Sequence, residues 1–137
     1  MGSLFELTGH YSYNAAPNGK GDLTGLIQIE PDGSFECEIT DHASRSPNQF
    51  LRGQAFDLNG MRQLAFLKFP DNARLANLAY LLSKSNGTGI EGAYSGEWAA
   101  LPYKLEYQLD NGLFLASIDM SVAHLKDSSE ITLKYIA

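Results

Sequence analysis

Cysteine occurs once in these 137 residues, at Cys37, so an internal disulfide cannot form and metal or redox sites built on paired cysteines are excluded. In Phe35-Glu36-Cys37-Glu38-Ile39 the thiol falls on the face shared by Phe35 and Ile39. Two flanking carboxylates disfavour its thiolate, and it reads as interior filler. Basic residues are also few, ten against 16 acidic ones for a net charge of −6, and they are scattered. Nucleic acid needs a concentrated basic surface and is excluded as a partner. A long apolar run is missing, so a membrane-inserted helix is not expected. The opening Met1-Gly2-Ser3-Leu4-Phe5-Glu6 lacks a basic segment followed by an apolar one, which argues against a signal peptide and for a cytoplasmic location.

Proline is sparse, and each of the five lies between apolar runs. That placement suits a sheet, because proline cannot donate to the ladder. Turn chemistry recurs at Pro17-Asn18-Gly19, Pro31-Asp32-Gly33, Asn59-Gly60, Asn86-Gly87-Thr88-Gly89 and Asp110-Asn111-Gly112, where Asn-Gly and Asp-Gly pairs supply the positive φ of tight hairpins. The intervening runs cover roughly 4–13, 21–30, 33–41, 50–58, 62–69, 76–84, 90–99, 103–110, 112–120 and 130–136. The length suits one domain, 1–137, able to bury a core without staples. The expected fold is all-β, an antiparallel up-and-down meander closing into an 8- to 10-stranded barrel with at most one or two short helical turns.

The stretch Ile90–Trp98 carries the only tryptophan. Strand alternation sends Ile90, Gly92, Tyr94, Gly96 and Trp98 to one face, and glycines beside large rings suit a sharply curved strand with the rings over the missing side chains. Phe5, Leu7, Gly9, Tyr11 and Tyr13 likewise oppose Glu6, Thr8, His10 and Ser12. The run 62–69 is apolar on both faces, Leu64 and Phe66 against Ala65, Leu67 and Phe69, so its outer side must be covered, and a neighbouring subunit would serve. Over 71–85, Leu75, Leu78, Ala79 and Leu82 fit a helical spacing as well as a strand. A brief turn and then a strand leading into the Gly92 strand is the reading adopted. A helical turn is expected within 121–129.

Size, meander order and Gly9-His10-Tyr11 near the start resemble the calycin-like barrels, namely lipocalins, fatty-acid-binding proteins and avidin-like proteins. Tyr11 stands where a lipocalin would show Trp, and the helix pair of fatty-acid-binding proteins is missing. What the resemblance implies is an interior cavity for a small apolar or amphipathic molecule.

The residues give their own candidates for such a site. In Phe50-Leu51-Arg52-Gly53-Gln54-Ala55-Phe56, inward Phe50 and Phe56 would carry Arg52 and Gln54 into the lumen, where the planar guanidinium would suit a ligand carboxylate. The opposite phase turns Leu51, Gly53 and Ala55 inward and leaves Arg52 solvated, in keeping with the rarity of buried charge. Tyr11, Phe35, Tyr94, Trp98 and Tyr107 would supply aromatic walls. Asp41-His42 pairs a carboxylate with an imidazole, yet adjacent strand residues face apart and a surface turn accounts for them. His10, His42 and His124 lack ligand-like spacing, so no metal is assigned, and no cofactor motif is found. Lys20 in Pro17-Asn18-Gly19-Lys20-Gly21 lacks the rest of a phosphate loop. Asn86-Gly87-Thr88 matches a glycosylation acceptor by chance in a cytoplasmic chain. Asp119 and Ser117 share a face with Leu113 and Leu115, which would put a carboxylate inside or at the rim.

Three functions follow: a small-molecule binder with an aromatic-lined lumen, a filled barrel that oligomerises through the 62–69 strand, or a small barrel enzyme of isomerase or cyclase type using Asp119 or His42. The first is the reading adopted, and no catalytic residue is assigned.

Overall fold

The computed structural model describes residues 2–13, 19–44, 47–70, 78–84, 87, 89–100 and 125–137. Eight strands run in order: β1 (Ser3–Ser12), β2 (Lys20–Ile29), β3 (Ser34–Asp41), β4 (Asn48–Leu58), β5 (Met61–Pro70), β6 (Leu78–Lys84), β7 (Gly92–Ala100) and β8 (Leu125–Tyr135). Each pairs antiparallel with the next, and β8 returns to β1 through Leu7↔Leu133 and its neighbours, closing the barrel. No α-helix occurs among the described residues, and no helix there is long and apolar enough to cross a membrane. The expected runs 103–110 and 112–120 and the turn in 121–129 lie outside the described residues. The ambiguous stretch resolves as strand over Leu78–Lys84; residues 71–77 lie outside.

Alternation explains the closure. Inward side chains recur at every second residue: Phe5, Leu7 and Tyr11 on β1, Leu23, Ile27 and Ile29 on β2, Leu64 and Phe66 on β5, Tyr94 and Trp98 on β7, Ile131 and Leu133 on β8. They form one contiguous cluster, and each large apolar side chain removed from water contributes about 1.5–3 kcal/mol. Asn59 (φ 54°) and Gly60 (φ 80°) make the two-residue β4–β5 hairpin, as that dipeptide foretells. At Gly96 a side chain would collide with the backbone of Leu81 and Leu82 on β6. The glycine between Tyr94 and Trp98 is therefore required by close strand approach rather than by a ring lying over it.

The two ends differ. Residues 30–33 and 59–60 make tight connections at one end, where β6 also passes to β7, whereas the β1–β2, β3–β4, β5–β6 and β7–β8 joins all fall at the other, the loop end. The wall is uneven as well. β4 and β5 pair continuously from Gln49↔Pro70 to Leu58↔Met61. In contrast, β2 and β3 pair from Leu23↔Asp41 to Gly25↔Ile39 and meet again where Glu30 N donates to Ser34 O at 2.9 Å. Between these points the ladder is interrupted, with half-buried Cys37 on β3 alongside and its thiol pushed up to about 12 by burial and by Glu36.

The outer face of β5 is apolar as expected, and Ala65 and Leu67 on it are buried, as are the outward-facing Ala79 and Ala99 on β6 and β7.

Candidate functional site

At the loop end the inner face changes from apolar to polar. Tyr11 near the end of β1, Asp41 at the end of β3, Lys68 near the end of β5, Tyr80 on β6 and Trp98 on β7 converge there. Each sits where alternation requires: Lys68 continues the Leu64–Phe66 row, and Asp41 continues Phe35–Cys37–Ile39. Asp41 also shapes the chain reversal after β3, accepting the Ala43 N–H at 3.1 Å in an Asx-type turn.

Asp41 is the hub. Lys68 Nζ donates to its Oδ2 at 2.7 Å, and the Tyr11 hydroxyl lies 2.8 Å from Oδ2 and 3.0 Å from Oδ1. The Lys68 side chain is 0% exposed and that of Asp41 3%. The ammonium stands 4.0 Å from the centre of the Tyr11 ring and 5.5 Å from that of Tyr80, within cation–π range. Trp98 meets Tyr11 edge-on at 5.7 Å and donates its indole N–H to Ser12 O at 2.9 Å. Tyr80 stacks on Phe66 at 4.7 Å, and Phe66 in turn meets Phe35 at 6.1 Å. The Tyr11 ring lies over Gly21 of β2, where a side chain would occupy the same space.

The charges explain the titration shifts. Burial pushes the Lys68 amine below its ordinary value, with Asp41 opposing. Burial raises the Tyr11 hydroxyl, and the Asp41 carboxylate beside it adds to the effect. Tyr80 is raised by its complete burial and then by Tyr11 and Asp41. Among the described residues its hydroxyl has no hydrogen-bond partner. A buried polar group left in that state costs about 1–3 kcal/mol.

No protein family, curated protein or solved structure matches the chain. The site's meaning rests on its own geometry.

Of the residues singled out from sequence, Tyr11 and Trp98 come together at the loop end. Phe35 and Tyr94 also face inward, but Tyr94 lies toward the tight-turn end and donates to Ile90 O at 2.6 Å. Burial pushes its hydroxyl up to about 12. Arg52 does not enter the lumen. It is outward, with Nη2 2.7 Å from Glu36 Oε1 and its guanidinium 5.9 Å from the Phe69 ring centre, while Leu51, Gly53 and Ala55 turn inward. A leucine, a glycine and an alanine fit the interior without desolvating a charge. Gln54 shares the outward phase yet is buried, donating to Asp32 O at 2.7 Å. Tyr107, Ser117, Asp119 and His124 lie outside the described residues.

Asp41, the last residue of β3, and His42, in the turn after it, point apart. The imidazole Nε2 is 2.8 Å from Thr24 Oγ1 on the outside, in an open groove of about 470 Å³ lined by Thr8, Gly9, Asp22, Leu23, Thr24 and His42. Lys68 and the inward role of Asp41 were missed. The available signal was a lone charge in phase with Leu64 and Phe66.

Proposed function

We propose that this chain is a small-molecule-binding barrel of calycin-like type, acting in the cytoplasm, with its site at the loop end of the lumen. Lys68, Asp41, Tyr11 and Tyr80 form the polar part of the site, and Trp98 and Phe66 supply aromatic wall. The observation that carries this reading is the unpartnered Tyr80 hydroxyl, fully buried beside a buried ion pair. Evolution of a purely structural core would favour phenylalanine there, since an apolar replacement removes the desolvation cost. A hydroxyl kept in such a place has a use when something enters.

A filled barrel acting through its surface is the second reading, favoured by the contiguous inward cluster that runs from Phe5 to Trp98. Native mass spectrometry of the purified protein, followed by organic extraction, separates the two. A reproducible extra mass of a small organic molecule, lost on Tyr80→Phe or Lys68→Met substitution, is expected for the binder. A clean protein mass with nothing extracted, and no thermal stabilisation by a panel of small apolar compounds, would favour the filled barrel.

A further inference from the structure

The hydrogen-bonding capacity of the loop-end cluster is unevenly spent. Asp41 accepts from three donors: Oδ1 faces the Ala43 N–H, Oδ2 faces Lys68, and the Tyr11 hydroxyl lies within reach of both oxygens. The Tyr11 proton is used on Asp41. Lys68 carries three N–H donors, of which one meets Asp41, and the rest of the ammonium looks onto the Tyr11 and Tyr80 rings. The Tyr80 O–H meets no acceptor among the described residues. What remains on offer is chiefly donors, one O–H at Tyr80 and two N–H at Lys68 that face the rings, against the hydroxyl lone pairs and about one lone-pair site of Asp41.

The charge is already balanced. With Asp41 at 2.7 Å, the Lys68 ammonium attracts an incoming anion while the Asp41 carboxylate repels it, and an incoming cation finds the carboxylate already paired with Lys68. From this we infer that the site selects an uncharged molecule with an acceptor oxygen, a ketone, aldehyde, ester or amide carbonyl, seated against Tyr80 and Lys68, its apolar remainder on Phe66 and Trp98. This rests on the binder reading above and replaces the carboxylate ligand expected from Arg52, whose guanidinium is outside.

The test uses four probes that share one ring: acetophenone, benzoate, benzylamine and ethylbenzene, at neutral pH. Trp98 is the only tryptophan, so a ¹⁵N-labelled sample gives one indole signal that reports occupancy. Acetophenone is expected to bind about 10-fold more tightly than ethylbenzene, the worth of one to two net hydrogen bonds, and more tightly than either charged probe. Tyr80→Phe should weaken acetophenone about 3- to 10-fold and narrow its gap to ethylbenzene. In the unsubstituted protein, the ¹³C-carbonyl signal of labelled acetophenone should move in the direction of hydrogen-bonded carbonyls on binding. Benzoate binding as well as acetophenone, or acetophenone no better than ethylbenzene, would overturn the inference while leaving the binder reading in place. Failure of all four probes to move the indole signal at millimolar concentration would overturn both.

Discussion

Two ion pairs in this barrel have the same length and opposite surroundings. Arg52–Glu36 and Lys68–Asp41 both close at 2.7 Å, but the first pair is 47% and 66% exposed at its side chains and the second 0% and 3%. Distance alone therefore says little about what a pair does. Water screens the outer pair and competes for both partners, so it orders a surface at small net gain. The inner pair has lost its hydration, and its attraction must first offset that loss. Such a pair is a poor stabiliser when intact and a severe liability when halved.

The largest break in this comparison should come from Asp41→Ala, which strands the Lys68 charge in the core. Urea unfolding is expected to show a loss of about 3–5 kcal/mol, whereas replacing both partners, Lys68→Met with Asp41→Leu, should cost little or even stabilise by about 1–4 kcal/mol. A single substitution costing under about 1 kcal/mol would mean the inner pair is hydrated after all. Next in size, Tyr80→Phe should stabilise the ligand-free protein by about 1 kcal/mol, by removing a hydroxyl that is desolvated without compensation. A comparable loss instead would reveal a partner for that hydroxyl.

Alkaline pH sharpens the contrast further. The hydroxyls of Tyr11, Tyr80 and Tyr94 are all raised above the ordinary value of 10.0. Above pH 10 the unfolded chain sheds protons that the folded barrel keeps, so stability is full below that point and falls as pH rises toward the folded values, about 12 for Tyr94. Lys68, lowered in the fold, acts in the opposite sense: stability recovers as pH rises from its folded value toward 10.5, where the unfolded amine also loses its proton. Thermal midpoints should accordingly drop above pH 10, and less steeply in Tyr94→Phe. The smallest effect belongs to the outer pair. A double-mutant cycle of Arg52→Ala and Glu36→Ala should give a coupling of about 0.2–1 kcal/mol that shrinks in 1 M salt.

The fold was legible because period-two patterning and turn chemistry are local. Asn59-Gly60, the Phe5–Leu7–Tyr11 row and Pro31 and Pro47, which fall between strands, each carried their message within a few residues; Pro70 instead ends β5. Barrel closure followed from the same signals. The site was legible in half. Tyr11 and Trp98 could be placed inside by alternation, but nothing local says that residue 41 and residue 68 meet, because their junction is made across two hairpins and the closed interior. Arg52 misled for a related reason: Phe50 and Phe56 flank it in phase, and the two rings turned out to belong to the outside, where Phe50 stacks on Phe69 at 5.9 Å.

The interrupted seam between β2 and β3 bears on time rather than on affinity. A ring of strands has no free end at which to fray, so its first opening falls where the backbone ladder is already broken, beside Leu26–Ile29 and Phe35–Glu38. Any molecule shut inside would leave at the rate at which that seam breathes. Its residence would then be set by the wall, however weakly the lumen held it.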